Sequence, residues 1–287
     1  MMTPTALLAA SLLGTLAALP VSAQRSPLPP PGPIEHIEGN LYKIFGGGGN
    51  TLVFVQKDGV VLVDTKLPNN GQAILDQVRT VTDKPIVTII STHNHPDHVG
   101  STDFFREKFP SVQVVSQENT KTWVEKDPSH EPEVVPNVTY KDRLTIGAGD
   151  DRVELYYFGV AHTDGDAFVV IPAARAMFLG DVMAWNMAPL IDPPTGGSVI
   201  ALPDALEKAA ATVKGVDTVI EGHGNVNTWE GYLRFTRFNR ALLSAARAAY
   251  RRGEPPAAAV AELERVPEFA PLLGTSLLPG LEYGNTP

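Results

Sequence analysis

Cysteine is absent from the sequence. No thiolate can therefore ligate a metal or act as a nucleophile, and no disulfide can brace the fold. At 287 residues the chain needs none, since it can bury a full core as one large domain or two small ones. A surplus of positive charge is absent too. The net charge of −9 argues against nucleic acid or an anionic membrane surface as the main partner. No internal repeat runs at a fixed period, and no apolar run is long enough to span a bilayer. The run 6–19 is short and is broken by Ser11, Gly14 and Thr15.

The first 24 residues carry no charged side chain, and Val21 and Ala23 place small residues at the offsets for cleavage after Ala23. Residues 1–23 therefore read as a secretory signal peptide, although no Lys or Arg precedes the apolar core. Residues 24–33 hold five prolines and read as an extended linker. The folded domain is expected over 34–287, in the periplasm or secreted, with no stable membrane insertion once the leader is removed.

What is present is histidine in one place. Only seven occur in the chain, and His93, His95 and His98 crowd with Asp97 into six residues. They directly follow Ile86-Val87-Thr88-Ile89-Ile90, a β-branched apolar run that reads as a buried strand. Chemistry is commonly presented on a loop at such a strand end. Pro96 argues against a helix through the cluster, so neighbouring ligands are expected to point in different directions. His93 and His95 can then face one ion while Asp97 and His98 face a second. Neutral imidazole with carboxylate is a donor mixture that Zn²⁺ accepts, as do Fe and Mn.

The rest of the chain alternates strands and helices. Strands are expected over 34–45, 51–55 and 60–63, then after the metal loop over 112–116, 143–146, 152–158, 167–171, 176–179 and 218–220. Helices are expected over 71–81, capped by Asn70, and over 101–109, 118–126, 205–214, 229–252 and 257–263. The run Gly46-Gly47-Gly48-Gly49-Asn50 reads either as a hairpin loop or as a mobile flap over the site. Residues 127–140 are expected to cross the surface, with His130 exposed. Residues 183–197 form a long Pro-bearing segment, either functional or a plain connection. His162, Asp181 and His223 each sit at the end of an apolar run beside or near glycine, as ligands that approach an ion closely would.

Taken together, these residues resemble the metallo-β-lactamase superfamily. Its motif His-x-His-x-Asp-His is met by His93, His95, Asp97 and His98, its later ligands by His162, Asp181 and His223, and its early strand-end aspartate by Asp64. The resemblance implies an α/β fold, a four-layer αββα sandwich of two mixed sheets, with two Zn²⁺ ions at one edge. It implies that His93, His95 and His162 hold one ion, that Asp97, His98 and His223 hold the other, that Asp181 bridges them and that Asp64 fixes the ligand loop. The expected activity is hydrolysis of a small-molecule ester, thioester, lactone or β-lactam-like amide by a hydroxide shared between the ions, with Asp97 as catalytic carboxylate. The β-lactamase subclass with a cysteine ligand is excluded by composition. The alternative within the same fold is a mononuclear iron sulfur dioxygenase.

Overall fold

Strand side chains alternate between two faces, and the run Val60–Val63 is apolar on both. Val61 and Val63 enter one buried cluster, while Val60 and Leu62 enter another. A strand of this kind must be covered above and below, and that requirement sets the layering. The computed structural model describes residues 30–273. The expected signal peptide, most of the linker and the tail from 274 lie outside the described residues.

The first sheet has seven strands in sequence order: β1 (Ile34–Glu38), β2 (Leu41–Ile44), β3 (Thr51–Val55), β4 (Val60–Val63), β5 (Ile86–Ile90), β6 (Gln113–Gln117) and β7 (Val138–Tyr140). β1 to β4 pair antiparallel, and β4 to β7 pair parallel. Parallel neighbours need crossovers, which carry the helices α1 (Gly71–Arg79), α2 (Pro96–Val99), α3 (Thr102–Lys108) and α4 (Glu118–Lys126). Ile74, Leu75 and Val78 of α1, with Phe105 of α3, cover the outer face.

The second sheet holds β8 (Arg143–Ile146), β9 (Val153–Tyr156), β10 (Phe168–Ile171), β11 (Ala176–Phe178), β12 (Thr218–Ile220) and β13 (Val226–Thr228), in the order β13-β12-β11-β10-β9-β8. Only β11 and β12 pair parallel, across a connection that includes α5 (Leu202–Thr212). With α6 (Trp229–Arg252) and α7 (Pro256–Leu263), α5 covers this sheet's outer face. Tyr232, Phe235 and Phe238 pack there with Phe168, Met177 and Val219. The inner faces meet through Leu41, Phe54, Val63, Ile90 and Val115 on one side and Leu155, Val169, Ile171 and Phe178 on the other. The result is the expected αββα sandwich of two mixed sheets.

Three local expectations are corrected. Pro96 does not keep helix out of the metal loop: it opens the single turn α2, behind an extended His95. At that first position the missing N–H is not needed and the fixed φ already suits a helix. Asn70 precedes α1 but does not cap it with its side chain. Its amide donates instead to the carbonyls of Gly47 and Leu67, at 3.2 and 3.0 Å. Residues 127–140 also contribute the edge strand β7, which was expected as surface loop.

Candidate metal centre

Asp64 follows β4, wholly buried, with a φ of 61° that aspartate tolerates better than most side chains. Its carboxylate accepts from the Thr92 amide and hydroxyl at 2.8 Å each, and from His98 Nδ1 at 2.7 Å. Burial raises the Asp64 carboxyl above its usual range, and the His98 ring and the Thr92 donors oppose that rise. Having given its proton to Asp64, the Thr92 hydroxyl accepts from His93 Nδ1 at 3.0 Å. One carboxylate thus orients two histidines, and both are left with Nε2 bare.

His162 is turned the same way, its Nδ1 donating to the Leu190 carbonyl at 3.0 Å. His95 is reversed: its Nε2 donates to Asp192 Oδ2 at 3.0 Å, and Nδ1 is bare. These tautomers follow from the partners each ring nitrogen has. The bare His95 Nδ1 lies 3.1 Å from both His93 Nε2 and His162 Nε2. Lone pairs facing one another at that range repel unless a cation sits among them. Tetrahedral zinc at its usual Zn–N length sets ligand nitrogens roughly 3.3 Å apart. This donor set therefore fits zinc.

The second group repeats the pattern. His98 Nε2 is 3.3 Å from His223 Nε2, and Asp97 Oδ2 is 3.1 Å from His223 Nε2. Asp181 faces both groups. Its Oδ1 lies 3.2 Å from His98 Nε2 and 3.4 Å from His223 Nε2, and its Oδ2 lies 3.9 Å from His162 Nε2. That Oδ1 is buried without a hydrogen-bond donor, as an oxygen reserved for a cation would be. His93, His95, His162 and Asp181 form one group with ligand atoms within 4.8 Å of one another, and Asp97, His98 and His223 form a second. All seven expected ligands are brought together.

The two carboxylates of the site and burial pull the second group in opposite directions. Burial disfavours charge on His98 and His223, yet Asp181 and Asp97 outweigh it, holding His98 well up and His223 at about 9. Burial opposes ionisation of Asp181 as well, and the two rings hold it well below the usual carboxylate range. His93 goes the other way, pushed well down by burial and by the neighbouring rings.

The surroundings explain how the ligands are held so close. The run Gly46–Asn50 is no free flap. Gly49 N donates to the Asp97 carbonyl at 2.9 Å, and Asn50 N to the Gly222 carbonyl at 2.7 Å. A Cβ on Gly49 would come within 2.3 Å of the His98 ring, and one on Gly222 within 2.2 Å of Asp181 Oδ1. Only glycine permits either approach.

Sequence reasoning missed several of these supports. Lys66, wholly buried, donates from Nζ to the carbonyls of Ile44 and Gly49 at 2.7 and 2.8 Å. Burial pushes its ammonium down to about 7, with Asp64 opposing. Trp185 stacks on His223 with ring centroids 4.3 Å apart. Glu221 accepts from Asn186 N at 2.7 Å and from the Asn227 amide at 3.0 Å, bracing the turn that carries His223. His130 is corrected: its side chain is 3% exposed, and Nε2 lies 3.1 Å from the Asn94 carbonyl in the metal loop. Asp192, directly ahead of Pro193 and Pro194 in segment 183–197, was missed as well.

Comparison with known proteins agrees with this geometry. The sequence profile of the metallo-beta-lactamase superfamily matches residues 44–224, which is well over half the chain. Metallo-beta-lactamase IND-1 of Chryseobacterium indologenes is 24% identical over 199 residues, 67% of this chain and 80% of that one. A type 2 metallo-beta-lactamase of Bacteroides fragilis is 26% identical over 193 residues, 65% of this chain and 74% of that one. The crystal structure of DIM-1 metallo-beta-lactamase superposes with a TM-score of 0.60 at 18% identity, covering 74% of this chain and 98% of that one. At that identity the superposition speaks for the fold alone.

Proposed function

The chain belongs to the metallo-β-lactamase superfamily, and from that premise we propose a dinuclear zinc hydrolase of an ester, thioester, lactone or β-lactam-like amide. The observation that carries the reading is the convergence of bare imidazole nitrogens, with the donor-less Asp181 oxygen facing both groups. His93, His95 and His162 would hold one ion, Asp97, His98 and His223 the other, and Asp181 both. Two zinc ions, when bound, make a shared water acidic near neutral pH and polarise the substrate carbonyl.

The chain's own groups do the rest. Asp64 holds His93 and His98 in one tautomer, so neither ring can turn its protonated edge inward. Asp97 has a side chain 22% exposed, which lets its carboxylate meet solvent as well as His223. It would be placed to orient an attacking water or accept its proton. No serine or cysteine nucleophile is required. The first 23 residues, read as a leader, support a place in the periplasm or outside the cell.

Elemental analysis with a side-by-side screen of lactones, thioesters and β-lactams tests the proposal. Two zinc per chain with turnover of at least one substrate class is expected. A single iron per chain with oxygen uptake in its place overturns it. For the leader, sequencing protein recovered from the periplasm should find an N-terminus near Gln24, and an intact Met1 there would count against export by cleavage.

A further inference from the structure

We propose that Asp192 is a positioning residue, which fixes His95 with Nδ1 turned toward the first metal group and so sets that group's affinity. The inference rests on the reading that His93, His95 and His162 hold an ion.

Each histidine of that group has its outer nitrogen occupied, but by different means. His93 is served through the Thr92 hydroxyl and His162 by a backbone carbonyl. His95 alone is served by a charged side chain, from a segment 97 residues away. Its ring is also the more exposed, 23% against 1% for His162, so packing restrains it least. A histidine at the rim with its outer nitrogen free would divide between two tautomers and could flip. A carboxylate on Nε2–H selects the tautomer with a bare Nδ1, holds the ring plane and makes Nδ1 a stronger donor.

Asp192 is itself built in place. Its Oδ2 also accepts from the Thr195 hydroxyl at 2.5 Å. Its backbone N donates to the His162 carbonyl at 2.8 Å, and its carbonyl accepts from Gly197 N at 2.9 Å. Pro193 and Pro194 fix φ at the next two positions. Leu190, two residues earlier, orients His162 from the same segment. Segment 183–197 is therefore the outer wall of the first metal group and not a plain connection.

The test compares Asp192→Ala, Asp192→Asn and Thr195→Val with the wild-type chain. Zinc is titrated into metal-free protein against a chromophoric chelator, and thermal unfolding of the metal-free proteins is recorded in parallel. In the wild type, one of two zinc affinities should fall on the order of ten- to a hundredfold on Asp192→Ala. Asp192→Asn should lose less, because its carbonyl still accepts from Nε2–H, and Thr195→Val less again. The metal-free melting temperatures should change little, since the His95 and Asp192 side chains are 23% and 25% exposed and a bond so placed adds little stability without an ion. Proton NMR of the zinc-loaded wild type should show a slowly exchanging His95 Nε2–H that Asp192→Ala abolishes. Unchanged zinc affinities and an unchanged Nε2–H signal in Asp192→Ala would overturn the assignment. A wild-type chain that takes up no zinc overturns the metal reading itself, and the inference with it.

Discussion

At the scale of single residues, charge balance decides more than shape. Asp181 is nearly isosteric with asparagine, so Asp181→Asn keeps the volume while removing the charge that would offset repulsion between two cations. It also turns an amide toward bare imidazole nitrogens at one of its two positions. The variant should weaken the second zinc and cut turnover on the order of tenfold to a hundredfold or more. Full zinc occupancy at near-normal rates, by elemental analysis and assay, would reduce Asp181 to a turn residue after Gly180. Lys66 makes a different prediction. The unfolded chain keeps this proton up to about pH 10.4, whereas the folded chain releases it near 7. Between those values the unfolded state binds more protons, so this residue's contribution makes stability rise with pH. Below about 7 its cost is fully present. Denaturant unfolding of the zinc-loaded protein at pH 7 and pH 10 should show wild type gaining on Lys66→Met. Equal shifts in both proteins would show that Lys66 does not titrate in that window. The seven candidate ligands were legible because histidine is scarce and because they sit at or near strand ends. Lys66, Asp192 and the Leu190 carbonyl were not, because their roles exist only once distant segments meet, and a carbonyl has no sequence signature.

At the scale of elements, the apolar strands and long helices were legible from their pattern, while short polar pieces were not. β7 and β13 have three residues each and carry Thr139, Asn227 and Thr228, whereas the equally short β11 and β12 are mostly apolar and were read as strands. The turn α2 was misread because Pro96 was weighed as a helix breaker without regard to its place at the start. The glycine run was left open between loop and flap, since glycine permits motion and close approach equally. The hydrogen bonds from Gly49 and Asn50 into the two ligand loops decide for close approach. Gly49→Ala tests this directly. Its methyl would intrude on the His98 ring, so either the ring or the strand connection must move. We expect loss of the second zinc at a fold whose far-ultraviolet circular dichroism is unchanged. Two zinc bound as tightly as in wild type would mean that the connection yields freely, and that the packing seen there does not constrain His98.

At the scale of the whole molecule, the two sheets share the candidate metal centre. The loop after β5 gives His93, His95, Asp97 and His98, whereas loops of the second sheet give His162, Asp181 and His223. Ions bound there would clamp one sheet to the other, beyond what the apolar layer between them supplies. Free zinc at a thousand times its dissociation constant adds about 4 kcal/mol per site to the folded state. For a domain of this size each kcal/mol moves the melting temperature by about 2–4 °C. Chelation should therefore lower the melting temperature on the order of 10 °C per site, by scanning calorimetry. No shift would mean that the clamp carries no stability.

The sequential order of the first sheet bears on how the molecule comes into being. Its seven strands are finished at Tyr140, with no strand borrowed from later in the chain. A polypeptide delivered from its N-terminus can thus assemble that slab while the remainder is still being made or threaded. The slab would then show Leu41, Phe54, Val63, Ile90 and Val115 to water as a naked oily face, with a half-set of ligands at its rim. Until the partner slab settles on it, that face would be open to association with other apolar surfaces. The second candidate metal group would be completed last, because His223 arrives only after β12, whereas the first is complete at Asp181.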